Sequence, residues 1–211
     1  EEVARDSVHE AEWREPAPLP RVGLYRERVA RADDRPVAAI MFYRAAVQAD
    51  DAAPIDALIE ALAARGIDAL PVFANSLKDA ATADFVARTL ADARPDIILN
   101  CMGFAVSTPG AAHKTPFDAA DCPVLQVIFS GGLREAWDKG KGGLSARDLA
   151  MSVALPEIDG RVITRAVSFK EAALFDQSTE TALVRNAPEP SRIDFVAELA
   201  ARWVRLRRTE A

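Results

Sequence analysis

Histidine and cysteine are scarce in this chain of 211 residues, which carries only two of each. Two cysteines, Cys101 and Cys122, are too few for a disulfide framework and point to a reducing, cytoplasmic setting. Their spacing is not that of a zinc site, and without a His or Cys cluster no closed metal site is expected. Basic charge is also short: 26 Lys and Arg face 32 Asp and Glu, a net charge of −6. That excludes the electrostatic footprint of a nucleic-acid binder, which must neutralise phosphates. No apolar run is long enough to span a membrane, and none has the form of a signal-peptide core. The glycine fingerprints are missing too. "GKGG" (140–143) lacks the spacing of a phosphate-binding loop, and no G-x-G-x-x-G follows the first strand, so binding of ATP or NAD by this chain alone is not expected.

What is present is the composition of a folded domain, half hydrophobic and 27% charged. The chain opens on "EEVARD" without a methionine and is expected to be a piece of a longer polypeptide. Residues 1–35 are charged and carry "EPAPLP" (15–20), which cannot continue a helix and reads as an arm or linker to a preceding domain. Order is expected from "PVAAIMFY" (36–43), an apolar run of strand length, and residues 36–211 are read as one α/β domain. In "PIDALIEALAARG", Ile55, Leu58, Ile59 and Leu62 recur at helical spacing, with Pro54 in the first turn and Gly66 beyond the end. "IDALPVFA" (67–74), "DIILNCMGF" (96–104) and "PVLQVIFS" (123–130) are further strands, and "TADFVARTLADAR" (82–94) is a second helix. Its apolar face carries Phe85, Val86 and Leu90.

Strands that are apolar throughout, alternating with amphipathic helices, mean a sheet covered on both faces. The expected fold is therefore α/β, a doubly wound, mostly parallel sheet of Rossmann-like or flavodoxin-like type. The half after Ser130 is less regular. "REAWDKG" and "SARDLAMSVA" look helical, "RVITRAVSF" (161–169) looks like a strand, and "RIDFVAELAARWVRLRR" is a closing helix. Its stripe is Ile193, Val196, Leu199, Ala200 and Trp203, and its basic end complements the helix dipole.

In open α/β sheets ligands bind beyond the carboxyl ends of the strands. Those ends are Tyr43-Arg44, Asn100 to Phe104, and Ser130-Gly131-Gly132, so a cleft is expected among them. Cys101, within an apolar strand, and Cys122, before a proline, read as small core residues. His113, in a loop beside Lys114, is a weak candidate for proton transfer, and His9 in the arm a weaker one. Two carboxylates stand in "ALPEIDGRV" (154–162). Asp159 is explained by the Asp-Gly turn that it shapes. Glu157 is not demanded by the turn. Between Pro156 and Ile158 it is expected on a stiff, partly desolvated loop, where a carboxylate accepts protons or holds a hard cation transiently.

The stretches "AAIMFYRA", "RPDIILNCMGFAV", "CPVLQVIFSGGLREAW", "GLSARDLAMSVALPEIDGRVITRAVSFKE" and "ARWVRLRRTEA" together resemble the large, tetrapyrrole-binding subunit of the aerobic cobaltochelatases and, more distantly, the magnesium chelatase H subunit. The resemblance runs from about residue 36 to the C-terminus. "FYR" after the first strand and "SFK" after "PEIDGRVITRAV" look like the cobalt type. It implies one domain of a subunit of a hetero-oligomeric ligase that inserts Co²⁺, as substrate, into hydrogenobyrinic acid a,c-diamide on the way to cobalamin. ATP and Mg²⁺ would be used by separate AAA+ motor subunits. It further implies that Glu157 is the catalytic carboxylate and transient metal ligand, with Asp159 supporting it. Arg44 would bind a carboxylate of the macrocycle, Tyr43 or Phe42 would stack on it, and Asn100, Ser130 and Gly131 would line its site. An isolated fragment would be inactive. Two other readings stay open: a magnesium-chelatase-like porphyrin binder, and a non-catalytic scaffold or docking domain of the chelatase.

Overall fold

The computed structural model describes residues 18–26, 34–107, 114–177 and 180–209. His9 and His113 lie outside them. The apolar run after Pro36 forms β2 (Val37–Tyr43), whose side chains are buried on both faces. β1 (Val22–Leu24) precedes it. After β2 come α1 (Arg44–Gln48), α2 (Ala53–Ala63), β3 (Asp68–Ala74), α3 (Ala80–Ala93), β4 (Ile97–Asn100), a 3₁₀ turn (Pro116–Ala120) and β5 (Val124–Leu133). The remainder is α4 (Arg134–Lys139), α5 (Ala146–Leu149), a π-helical turn (Ala150–Ala154), α6 (Leu155–Ile158), β6 (Val162–Asp176), β7 (Thr181–Pro188) and α7 (Pro190–Thr209).

One seven-stranded sheet runs β1-β3-β2-β4-β5-β6-β7. The five inner strands are parallel, and β1 and β7 close the two edges antiparallel. The chain leaves β2 for β3 on one side and returns to β4 on the other, so the winding reverses between β2 and β4. Alternate residues of β2 feed two cores. Ala38, Ile40 and Phe42 face α2 and α7, packing with Leu58, Leu62 and Val196. Val37, Ala39 and Met41 face α3 and the 3₁₀ turn, packing with Val86, Leu90 and Phe117. The expected mostly parallel α/β sheet with helices on both faces is thus the observed architecture.

Local chemistry sets the helix boundaries. Pro54 sits in the first turn of α2, and Gly66 beyond it takes φ +74°, a conformation that costs glycine nothing. Asp79 caps α3, accepting from the Thr82 amide at 3.1 Å.

Three features depart from the expectations. Order does not wait for residue 36, because Val22–Leu24 pair with Val72–Ala74 as an edge strand. Three residues are too few to show a period. The region after Phe169 holds a hairpin, in which β6 continues to Asp176 and pairs with β7. Most of β7 is exposed, so the apolar signal that marks a buried strand is missing there. The "PEI" segment is helix rather than loop, as the helical backbone from Ala146 runs on to Ile158.

Pro156 explains how that helix survives. A proline has no N–H for the carbonyl four residues back and clashes with it. The preceding turn therefore widens to the π pattern, with the Leu155 amide donating to the Ala150 carbonyl. The Met151 carbonyl would then need the amide of residue 156, which does not exist. It accepts instead from the Phe104 amide, at 2.8 Å. The helix ends at Asp159, followed by Gly160 at φ +67°.

Candidate functional site

A cleft of about 710 Å³ opens beyond the carboxyl ends of β2, β4 and β5, at the point where the winding reverses. Its apolar lining includes Phe42, Tyr43, Phe104, Phe129 and Met151, and its polar lining is drawn from distant parts of the chain. The loop after β4 separates it from a smaller neighbour of about 320 Å³, and Tyr43, Gly103 and Phe104 face both. No group of three or more His, Cys, Asp or Glu that would hold a metal ion occurs among the described residues. None of the described helices is long and apolar enough to cross a membrane.

The loop of residues 102–107 is held from beneath by a buried polar network. Asn100 Nδ2 donates to the Met102 carbonyl and to Gln126 Oε1, both at 2.8 Å. Gln126 Nε2 donates to the same carbonyl at 3.0 Å. Arg161 Nη1 donates to Gln126 Oε1 at 2.9 Å, and Nη2 to Asp159 Oδ2 at 2.6 Å. Asp159 in turn accepts the amides of Val106 at 2.7 Å and Ser107 at 3.0 Å, together with the Ser107 hydroxyl. Burial by itself would raise the Asp159 pKa. The hydrogen bonds from Ser107 and Val106 and the charge of Arg161 outweigh it and hold the carboxyl below its usual range.

Two further contacts fix the cleft side of the loop. Tyr43 donates from its hydroxyl to the Gly103 carbonyl at 3.3 Å. Burial raises the pKa of that phenol, although the Gly103 contact and Arg161 oppose it, so it stays protonated. At Gly103 a Cβ would stand 3.0 Å from the Met151 carbonyl oxygen, which is why no larger residue fits there without displacement. Phe104 then takes φ +67° with 46% of its surface exposed. A left-handed aromatic residue at a cleft is a strained arrangement that only its surroundings maintain.

The second wall comes from β5 and α5. Ser145 caps α5 by accepting the Asp148 amide at 3.0 Å. The buried Asp148 carboxylate accepts from the Ser130 hydroxyl at 2.8 Å and the Gly131 amide at 3.1 Å. A third group arrives with the hairpin: Asp51 accepts the Asn186 backbone amide at 2.8 Å and its side-chain amide at 2.6 Å, and pairs with Lys170 at 3.3 Å.

The residues singled out from sequence fall into three sets. Tyr43, Ser130 and Gly131 line the cleft, with Phe42 and Gly132 beside them. Asn100 is fully buried beneath the cleft and supports the loop. Arg44 is turned toward the N-terminal segment, where its guanidinium donates to the Leu19 and Pro20 carbonyls at 2.7 and 2.8 Å. Glu157 stands in α6, exposed rather than partly desolvated, because the last helical turn presents it to solvent while Pro156 faces inward. Asp159, expected to shape the bend and to support Glu157, is the buried member of the two. Sequence reasoning missed Arg161, Asp148, Asp51 and Lys170. The first had a signal, a cation two residues after the Asp at the mouth of an apolar strand. The others become neighbours only through the fold. Cys101 lies in the floor of the cleft, where burial pushes its thiol up, and burial likewise pushes Cys122 up to about 12.

Residues 2–211 match the family model described as CobN/Magnesium Chelatase. The chain is 49% identical over 176 residues to the aerobic cobaltochelatase subunit CobN of Sinorhizobium sp., covering 83% of this chain and 14% of that protein. It is 45% identical over 206 residues to the same-named subunit of Pseudomonas aeruginosa, covering 93% of this chain and 16% of the relative. Among solved structures, the catalytic subunit of cobaltochelatase from Mycobacterium tuberculosis superposes with a TM-score of 0.71 at 29% identity, over 93% of this chain and 17% of that one. The chain therefore spans about a sixth or less of the relatives it matches.

Proposed function

The chain belongs to the CobN/magnesium chelatase family, and from that premise we propose that it is the part of a cobaltochelatase large subunit whose strand-end cleft receives the tetrapyrrole. The reaction is insertion of Co²⁺ into hydrogenobyrinic acid a,c-diamide, coupled to ATP hydrolysis by separate AAA+ motor subunits in the cytoplasm. One observation carries this reading. In a chain 49% identical to a cobaltochelatase subunit, the ends of β2, β4 and β5 meet in a cleft with an aromatic and apolar lining and a few placed polar groups. The parallel strands run β3-β2-β4-β5-β6, and in open sheets of this kind ligands sit where the order reverses.

Metal insertion requires two things of the protein. The pyrrole N–H protons need an acceptor, and the hydrated cation must shed water as it passes to the macrocycle nitrogens. A carboxylate serves both purposes. Glu157 is our candidate, an exposed carboxylate at the end of the helix whose other end lines the cleft. Tyr43 and Phe104 offer faces for the macrocycle, Phe42 lies buried behind them, and Ser130 and Gly131 line the opposite wall. The cation enters as substrate.

Glu157→Gln in the complete subunit tests the assignment. We expect metal insertion to fall by two orders of magnitude or more, on the scale of ~10²–10⁴ for general acid–base groups, with tetrapyrrole binding retained. Unchanged turnover would move the chemistry to other domains and leave this one as scaffold. Tighter binding of protoporphyrin than of the corrinoid precursor would favour the magnesium-type reading.

A further inference from the structure

We propose that Arg147 and Lys170 recognise carboxylate substituents of the macrocycle, forming the anion-binding side of the cleft; this rests on the reading that the cleft receives a tetrapyrrole. Four charged side chains line the cleft: Asp51, Arg147, Asp148 and Lys170. The two carboxylates are already satisfied by the protein. Asp148 is buried against the Ser130 hydroxyl and the Gly131 amide. Asp51 takes both amides of Asn186 as well as Lys170.

The cations are not used up in the same way. Arg147 is exposed at the cleft and its side chain makes no hydrogen bond or ion pair among the described residues, so its planar fork of donors has no anion. Lys170 spends one contact on Asp51, at 3.3 Å, and an ammonium has three donors. The two come from separate elements, Arg147 from the first turn of α5 and Lys170 from β6, where it pairs in register with Leu133. A flat ligand resting on Phe104 and Phe129 would thus meet one guanidinium and one ammonium at its periphery. A guanidinium pairs with a carboxylate through two parallel hydrogen bonds, whereas an ammonium acts as a point charge. Arg44, the cation expected to do this, is bound to backbone carbonyls instead.

The test compares two probes on the complete subunit by absorbance titration: hydrogenobyrinic acid a,c-diamide, and the same compound with its free carboxylates converted to methyl esters. Arg147→Gln is expected to weaken binding of the acid about tenfold or more, the scale of a charged hydrogen-bonded contact, and to leave the ester unchanged. Lys170→Gln is expected to do the same to a smaller degree. Arg147 is exposed, so its variant keeps the fold and decides the matter even if loss of the Asp51 pair disturbs the hairpin in the other. Wild-type affinity for the acid in both variants would overturn the assignment, as would an equal loss for acid and ester. A wild-type subunit that binds neither probe would overturn the tetrapyrrole reading and this assignment with it.

Discussion

Replacing Asp159 by Asn removes one charge from the network under the cleft and changes little else in shape. The carboxylate and the Arg161 guanidinium are each only 1% exposed. Four donors converge on the two carboxylate oxygens: the Val106 and Ser107 amides, the Ser107 hydroxyl and Arg161 Nη2. An asparagine keeps one oxygen and places an NH₂ where the other stood, so donor faces donor. Arg161 is then a buried cation without its counter-charge. Breaking one partner of such a pair costs ~3–5 kcal/mol. An orphaned amide costs ~1–3 kcal/mol, a loss that overlaps the first rather than adding to it. The expected loss is therefore about 3–5 kcal/mol out of a total of ~5–15 kcal/mol for a domain.

Urea unfolding followed by tryptophan fluorescence measures this as a fall in midpoint at constant slope. Adding Arg161→Met removes the stranded charge, so the double variant should lose at least ~2 kcal/mol less than the sum of the singles. The pH dependence gives an independent check. The folded pKa of Asp159 lies below its ordinary 3.8. Its contribution is thus present above that value and is lost as the pH falls through the lower, folded pKa. Asp159→Asn should flatten the acid limb of stability below about pH 4 and leave the neutral region parallel to wild type. The Arg161 pKa is also lowered, since burial outweighs the pull of Asp159, and for a cation that shift disfavours the charged form. The pair is therefore chiefly a positioning device. A loss below ~1 kcal/mol, the scale of a surface ion pair, would refute the network as a structural element.

At Gly103, alanine should lower stability by ~1–2 kcal/mol, read as a fall of about 2–8 °C in Tm, because its Cβ meets the Met151 carbonyl; Gly142→Ala, with open space around it, is the control. Equal Tm values would show that the helix yields freely. Neither Cys101 nor Cys122 should react with a disulfide reagent at pH 8 in the native protein, since burial raises both thiols, and both should react in urea. Rapid native labelling of either would contradict the burial described.

The inner sheet was legible because parallel strands covered on both faces are predominantly apolar, as β2 and residues 97–99 of β4 are. The helices were legible from periodicity, and the cleft from the places where apolar runs stop. The rest depends on information that a linear reading does not hold. Asp51 meets Lys170 across 119 residues and Asn186 across 135, and nothing local marks those partners. β7 carries Leu183 and Val184 exposed, so it lacks the buried signature of a strand. Asp159 was legible only in part. Asp-Gly satisfies turn chemistry so well that nothing local marks the burial of its carboxylate, and a supporting role came from the resemblance alone. Glu157 was judged in reverse, because a helix that tolerates Pro156 by widening one turn presents as a loop in sequence.

That widened turn ties the pieces of the site together. The helix from Ala146 to Ile158 touches the cleft at three places. Asp148 holds Ser130 and Gly131 at its start. The Met151 carbonyl, left free by Pro156, takes the Phe104 amide in its middle. Asp159, just past its end, takes the amides of residues 106 and 107. Residues 104, 106 and 107 of the loop after β4 are thereby pinned to one rod, and Phe104 is kept in a conformation that costs a non-glycine residue ~1–2 kcal/mol. That cost is met on folding, so a ligand would not have to order the loop when it binds. The same rod carries Glu157, and its distance from the cleft is set by backbone rather than by a side-chain contact. Under the proposed reading, the exposure of Glu157 is then a property of use. Under that reading a group that takes protons must also release them, and an exposed carboxylate can do so without moving the helix that carries it.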